Sequence, residues 1–325
     1  MNAFKRNDKK NNAAEDAVKI KTGFFIQSVK FSSANDVFVT GYAWQKLPEE
    51  WKGKLASGDD SSSLLNFVLP EAESSSVNVV YSDQKITRWY FEASLRQSFN
   101  YLKYPFDDED VWIRVCTKDF YNNDVVLVPD FDSYPDFKKS RRNGLEDDIF
   151  VEGWNIRKSF YSFRSNNYNS NFGRLAGFKS LENKPDLYFN VSIRREFLGV
   201  FVAYMIPLVV IAFLLFAVLM IRTRDSKKNE LFGFNSAMVL GYAASLFFVL
   251  IVSHMSLRET LQAKGIIYLE YFFFILYIAI AIVSANSITF SYKKKEDGAF
   301  DKWTKVLYWP GLLFSILTIT VIRFI

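Results

Sequence analysis

Between Phe197 and Ile221 the chain carries no charged residue. About 20 helical residues cross a hydrocarbon core of about 30 Å, and in lipid a single segment satisfies its backbone by staying helical. This run is long enough to span. Leu231–Leu257, interrupted only by His254, is a second such run, and Ile266–Tyr292, with Glu270 near its start, is a third. The fourth, Val306–Ile322, is shorter, but Trp303, Tyr308 and Trp309 at one end and Arg323 at the other are suited to anchoring a helix at the membrane interface. Four transmembrane helices are expected, at about 197–221, 231–257, 266–292 and 303–325.

The connections set the orientation. "RTRDSKKNE" after the first span holds Arg222, Arg224, Lys227 and Lys228, and "SYKKKEDGAFDKWTK" after the third holds Lys293, Lys294, Lys295, Lys302 and Lys305. The connection between the second and third holds only Arg258 and Lys264. Basic residues gather on the cytoplasmic side, so the first and third connections face inward. The N-terminal domain and the C-terminus are then extracellular or periplasmic, in a multi-pass protein of the cell membrane. Residues 1–16 are polar and basic and read as a disordered tail, not as a signal peptide. An exported domain needs a leader, so the expectation is that a leader or upstream domain has been removed, or that the chain is designed or truncated.

Residues 17–196 read as strands. In "ITRWYFEASL" Trp89, Phe91, Ala93 and Leu95 alternate with Arg88, Glu92 and Ser94, and in "DLYFNVSI" Leu187, Phe189, Val191 and Ile193 alternate with polar neighbours. "TGFFIQSVKF", "NDVFVTGYAW", "VWIRVC", "DVVLVP" and "VEGWNIRKSF" are further candidates, separated by turn-forming runs such as "SSAND" and "RRNGLEDD". Short strands at this spacing predict an extracellular all-β antiparallel sandwich of the immunoglobulin-like kind, followed by a four-helix transmembrane bundle from residue 197.

Several functions are excluded by what the chain is made of. One cysteine, Cys116, cannot form an intrachain disulfide, and one histidine, His254, leaves little material for a zinc site or a serine–histidine triad. There is no glycine-rich phosphate loop or nucleophile–base pair, so no enzyme is expected. A net charge of +5, spread over a tail and loops, gives no nucleic-acid signal.

One stretch resists a simple reading. "NYLKYPFDDEDVWIRV" places a proline and then four acids between two strand-like runs, where a plain hairpin would use Asn-Gly or Gly-Gly. With Tyr104-Pro105-Phe106-Asp107, the later run "DDIFVEGWNI", and Arg195 with Pro207 twelve residues on, the sequence resembles a prokaryotic pentameric ligand-gated ion channel of the Cys-loop receptor superfamily. The resemblance extends from about Ile20 to the C-terminus. Prokaryotic members typically lack the cysteine pair flanking this loop, and this chain has Gln97 and Val111 there.

The resemblance implies a homopentamer in which this loop rests on the membrane domain. Proline stiffens the loop, Phe106 reaches the membrane interface, and Asp107 pairs with Arg195, with Asp36 as a second acid. A solvated acidic loop is the plain alternative. Where relatives have Leu-Pro after the second helix, this chain has Leu257-Arg258, so coupling there is expected through Arg258 and a carboxylate, Glu259 or Glu270.

By the same resemblance the second helix lines a pore, in one of two registers. One turns Ser236, Leu240, Ala243, Phe247 and Leu250 to the lumen; the other turns Ala237, Gly241, Ala244, Phe248 and Ile251. Either places a phenylalanine ring at a hydrophobic constriction that gates by dewetting, although small residues also serve close helix packing. The chain has neither the glutamate ring of cation-selective relatives nor the Pro-Ala pair of anion-selective ones, and the acidic outer loops tip the balance to cations. His254 reads as a packed neutral histidine before it reads as a pH sensor.

An agonist site between subunits would draw on Phe131, Tyr134, Phe160 and Tyr168 from one side and Tyr42 and Trp44 from the other. An aromatic cage for a cationic amine is one use of these rings and core packing is another. No cofactor is implied; Ca²⁺ as a modulator held by acidic loops stays open. The partners implied are four further copies of the chain, membrane lipids, permeant inorganic ions and an unidentified small-molecule or ionic ligand. The competing function is a non-conducting membrane-anchored sensor or binding protein with a β-sandwich ectodomain.

Overall fold

The computed structural model describes residues 18–48, 65–83, 85–116, 125–134, 140–166, 185–221, 236–292 and 299–325. The tail 1–16, the basic connection 222–230 and Tyr168 lie outside the described residues. The chain forms two compact units. One comprises residues 1–98 and 108–194, the other residues 99–107 and 195–325.

The first unit holds eight described strands: β1 (Val18–Phe31), β2 (Asp36–Lys46), β3 (Ala72–Ser82), β4 (Ile86–Arg96), β5 (Asp108–Val115), β6 (Val125–Pro129), β7 (Trp154–Ser165) and β8 (Pro185–Arg195). They form a five-stranded sheet in the order β3-β4-β2-β1-β6 and a three-stranded sheet in the order β5-β8-β7. The expected alternation is realised: Trp89, Phe91, Ala93 and Leu95 of β4 and Leu187, Phe189, Val191 and Ile193 of β8 are all buried. The two sheets meet through Phe24, whose ring lies 6.0 Å from Phe91 and 5.7 Å from Phe189. Each such ring withdrawn from water stabilises the unit by about 1.5–3 kcal/mol.

Two features depart from the sequence reading. β1 pairs with β6 in parallel, Val18 opposite Val125 through Thr22 opposite Pro129, so the sandwich is not purely antiparallel. β3 was not anticipated, because its serines and its exposure along the whole length leave no one-sided apolar pattern. At the position flanking the proline loop, the Gln97 amide oxygen accepts from the Trp112 backbone at 3.2 Å and its NH₂ donates to the Trp112 carbonyl. A side chain thus ties β5 to the end of β4 by hydrogen bonds.

Among the described residues, the second unit contains four helices long and apolar enough to cross a membrane: α1 (Phe197–Ile221), α2 (Ser236–Leu261), α3 (Glu270–Tyr292) and α4 (Ala299–Phe324). A multi-pass membrane protein follows from their length and composition. A wide turn over Phe201–Met205 interrupts α1 just before Pro207. Proline has no amide proton for the preceding turn, and a local π-type turn is a common way to absorb that loss. α2 runs one turn beyond the expected end at Leu257, because Leu257 and Leu261 are both buried while Arg258, Glu259 and Thr260 between them are exposed. Gln262, at φ 45°, then terminates it in the left-handed conformation that closes many helices.

Candidate functional site: a proline loop clamped into the helical unit

Residues 99–107 belong to the helical unit although they are flanked on both sides by strands of the β unit. The loop is not a hairpin turn. Tyr101–Lys103 form a single 3₁₀ turn whose Leu102 amide donates to the Asn100 side chain at 3.1 Å. Tyr104 donates to the Tyr101 carbonyl at 2.9 Å, Phe106 donates to that of Lys103 at 2.8 Å, and the Tyr104–Pro105 peptide is cis. Tyr101 and Tyr104 are buried. Burial pushes the Tyr104 hydroxyl well above its ordinary pKa, so it stays neutral.

The acid at the tip meets the arginine at the end of β8. Arg195 Nε lies 2.8 and 3.0 Å from the two carboxylate oxygens of Asp107, and Nη2 lies 2.9 Å from Oδ2. The Arg195 amide also donates to the Asp107 carbonyl at 3.2 Å. The Asp107 side chain is 1% exposed and that of Arg195 12%. The guanidinium lies 4.6 Å from the Tyr104 ring and 5.4 Å from the Tyr101 ring. A planar, delocalised cation can take a two-toothed carboxylate in its plane and aromatic faces above and below, which a lysine cannot. Asp36, the second acid expected beside Arg195, belongs to the β unit, where Ser33 donates to it at 2.6 Å and Arg96 lies 4.0 Å away.

Phe106 is the other half of the clamp. Its ring stacks on Phe197 at the start of α1 at 5.2 Å, and lies 6.1 Å from Tyr268 and 5.8 Å from Phe324 at the end of α4. The Leu102 carbonyl accepts from the Tyr268 amide at 3.0 Å. The loop therefore touches α1, α4 and the link between α2 and α3.

That link is held from the helix side as well. Glu270, with a side chain 1% exposed, lies 3.0 Å from Arg258 Nε and 3.2 Å from His254 Nε2 through Oε1, while Oε2 accepts from the Ile267 amide at 2.9 Å. Arg258 donates to the Gly265 carbonyl at 2.7 Å, and Arg323 of α4 donates to that of Ile266 at 3.1 Å. His254 stacks on Phe273 at 4.9 Å, and its Nδ1 lies 3.3 Å from the Tyr277 hydroxyl. Of the two carboxylates expected to meet Arg258, Glu270 is the one beside it. Tyr101, Tyr268 and Phe324 were not singled out in the sequence, and Arg323 only as a membrane-interface anchor; they act through contacts more than fifty residues away along the chain.

The candidate pore residues divide by burial. Val239, Ala243, Leu250, Leu257 and Leu261 form the face of α2 turned into the helical unit. Ala243 and Leu250 thus pack inside the protomer, and Phe247 lies 5.5 Å from Tyr277 of α3. Ser236 and Leu240 are half-buried, as is Ile251, whereas Ala237, Gly241, Ala244 and Phe248 are exposed. A helix period of 3.6 residues continues the exposed row through Val252, Met255 and Glu259.

Of the described candidate ligand residues, Trp44 meets Tyr134, their ring centroids 5.7 Å apart, and Tyr134 and Phe131 both pack against Tyr161. Tyr42 and Trp44 line a cleft of about 670 Å³ with Phe25, Lys46, Arg88 and Ser133. Trp44 and Ser133 both donate to Asp130, at 2.8 and 2.6 Å, and Lys46 lies 2.7 Å from it. Burial works against ionisation of Asp130, but the hydrogen bonds from Lys46, Ser133 and Trp44 outweigh it and hold its pKa below the ordinary value. Tyr134 is a core residue, donating to the Phe24 carbonyl at 2.8 Å and lying 2.7 Å from the Tyr161 hydroxyl. Phe131 packs edge-on against Tyr161 at 5.9 Å, and Phe160 lies 4.9 Å from the Lys158 ammonium. Among the described residues no three histidine, cysteine or acidic side chains come together to hold a metal ion.

A scan against protein-family models finds none that matches this chain, and no curated protein matches it either.

Proposed function

We propose that this chain is the subunit of a homopentameric ligand-gated channel of the cell membrane, in which ligand binding to the β unit opens an ion path lined by five copies of α2. The observation that carries the reading is the proline loop. A segment flanked by strands is built into the helical unit through the Asp107–Arg195 pair, the Phe106 ring and the Leu102–Tyr268 hydrogen bond. Such an element moves with the helices while its two ends continue into the sheets, which suits transmission between a binding domain and a gate.

Within this reading the lumen takes the register of Ala237, Gly241, Ala244 and Phe248, since a side chain packed inside one protomer, such as Ala243 or Leu250, is not available to line a shared axis. Small residues on the inner turns leave a hydrated segment, and Phe248, 68% exposed in the protomer, supplies the dewetting constriction. Glu259 lies at the outer end of the same row. Five copies would place five carboxylates at the mouth and favour cations there. The cleft beside Tyr42 and Trp44 is the favoured ligand face, as two rings stand there beside Lys46 and Arg88. Native mass spectrometry of the detergent-solubilised protein tests the assembly: five copies are expected, and a monomer would replace this reading with that of a membrane-anchored sensor.

A further inference from the structure

A second cleft, of about 740 Å³, opens on the β unit where Asp108 of β5 and Ser192 of β8 approach Arg157, Lys158 and Ser159 of β7 and Arg141 of the preceding segment. The segment is fastened to β7 by its backbone: the Ser159 amide donates to the Arg141 carbonyl at 2.8 Å, and Arg142 donates to the Ile156 carbonyl at 2.9 Å. Three cations thereby line one cleft. Among the described residues no carboxylate lies within ion-pairing distance of Arg141, Arg157 or Lys158. The acid in the cleft is already engaged, since Arg194 grips Asp108 through Nε at 2.6 Å and Nη2 at 2.9 Å. The hydrogen bonds from Arg194, with a smaller electrostatic contribution from Arg157, hold the Asp108 carboxyl below its ordinary pKa and therefore ionised. Asp110, opposite Ser192 in the sheet register, is the other acid nearby. Among the described residues of this surface, the cations Arg141, Arg157, Lys158 and Arg194 outnumber the acids Asp108 and Asp110.

Like charges concentrated on a fixed sheet surface repel one another, and a counter-anion relieves that repulsion. The volume suits a small ligand. Two guanidinium forks and an ammonium match the geometry of a phosphate or a carboxylate, and the Ser192 hydroxyl adds a neutral donor. We infer that this cleft binds a compact oxyanion, a phosphate or di-carboxylate group, at a site separate from the aromatic cleft beside Trp44. The chemistry is shared by a soluble phosphate and by the headgroup of an anionic phospholipid. The inference does not depend on conduction and survives if the chain forms no pore.

The test uses the full chain in nanodiscs of zwitterionic lipid, titrated calorimetrically with inorganic phosphate and with citrate at constant ionic strength. Saturable binding is expected, weakened at least tenfold in Arg157→Glu/Lys158→Glu and unchanged in Lys30→Glu, which removes an exposed cation elsewhere in the same unit. Circular dichroism melting of both variants, expected to match that of the parent, separates lost binding from lost folding. Nanodiscs containing phosphatidylglycerol distinguish the sources: competition with phosphate assigns the site to a headgroup, and undiminished phosphate binding assigns it to a soluble anion. No saturable binding of any of these probes, or equal weakening by Lys30→Glu, overturns the inference.

Discussion

The backbone carbonyl of Leu102 accepts a 3.0 Å hydrogen bond from the amide of Tyr268. One residue belongs to a loop between strands and the other to the link between two apolar helices, and 166 positions separate them along the chain. Around this bond the side chains converge from both sides: Asp107 and Phe106 from the loop with Arg195 from the end of β8, and Arg258, Glu270 and Arg323 from the helices. Displacement of the loop must therefore either break this set of contacts or move the α2–α3 link with it.

The Asp107–Arg195 pair is enclosed, with side chains 1% and 12% exposed. Removing one partner leaves the other as a buried charge without its counter-ion, a loss of about 3–5 kcal/mol. Arg195→Ala and Asp107→Ala are each expected to destabilise the solubilised protein by this order in denaturant titrations and to impair opening or assembly. The double variant should lose less than the two added together. Parent-like stability and currents in Arg195→Ala would refute the coupling role.

Glu270 holds the α2–α3 link by its backbone. Glu270→Ala removes the acceptor of the Ile267 amide and of Arg258 and His254 together. Hydrogen–deuterium exchange of residues 262–269 should accelerate by at least tenfold relative to the middle of α3. Unchanged exchange there would show that the link is held by other contacts.

Two neighbouring rings on α2 should behave differently. Phe248 is the more exposed of the pair, and Phe247 leans on Tyr277. Phe248→Ala is expected to raise the current without ligand, while Phe247→Ala lowers stability by about 3 kcal/mol or less through lost packing and leaves the resting current near its parent value. The reverse pattern would favour the other register.

Charge at the outer mouth should set ion preference. Glu259→Lys is expected to reduce the cation-to-anion permeability ratio several-fold, read from the reversal potential in a salt gradient. A ratio that does not move would remove Glu259 from the ion path.

Cys116 gives a prediction that is independent of gating. Burial pushes its thiol from an ordinary value of 9.0 up to about 12. In the unfolded chain the thiol ionises near the ordinary value, so its contribution to stability is intact below about pH 9 and declines as pH rises toward 12. Maleimide labelling at pH 7.5 should be slow in the folded protein and fast in denaturant; rapid labelling of the folded protein would contradict the burial of this residue.

Much of this architecture could be read from residue patterns. The charge-free run from Phe197 and the alternation in β4 and β8 are one-dimensional signals, and the elements they predict are present. The proline followed by acids set the loop apart from a hairpin, and the resemblance to a channel family named Arg195 as the partner of Asp107, the pair that forms. The rest depended on distant contacts. Tyr101 looks like an ordinary loop aromatic until the guanidinium lies against its ring. The last turn of α2 read as a loop because Arg258, Glu259 and Thr260 are polar, yet polar residues on an exposed turn are what an amphipathic helix end presents. The burial period of α2, 239, 243, 250, 257 and 261, depends on what α1 and α3 cover, and its own sequence is apolar almost all round.

The measurement that bears most directly on the central claim is single-channel recording of the purified protein in a planar bilayer under a KCl gradient, across a screen of amines, inorganic ions and pH. The account predicts discrete unitary currents that reverse toward the potassium equilibrium potential and that persist at rest in Phe248→Ala. Silent bilayers under every condition, for both the parent and Phe248→Ala, would contradict it.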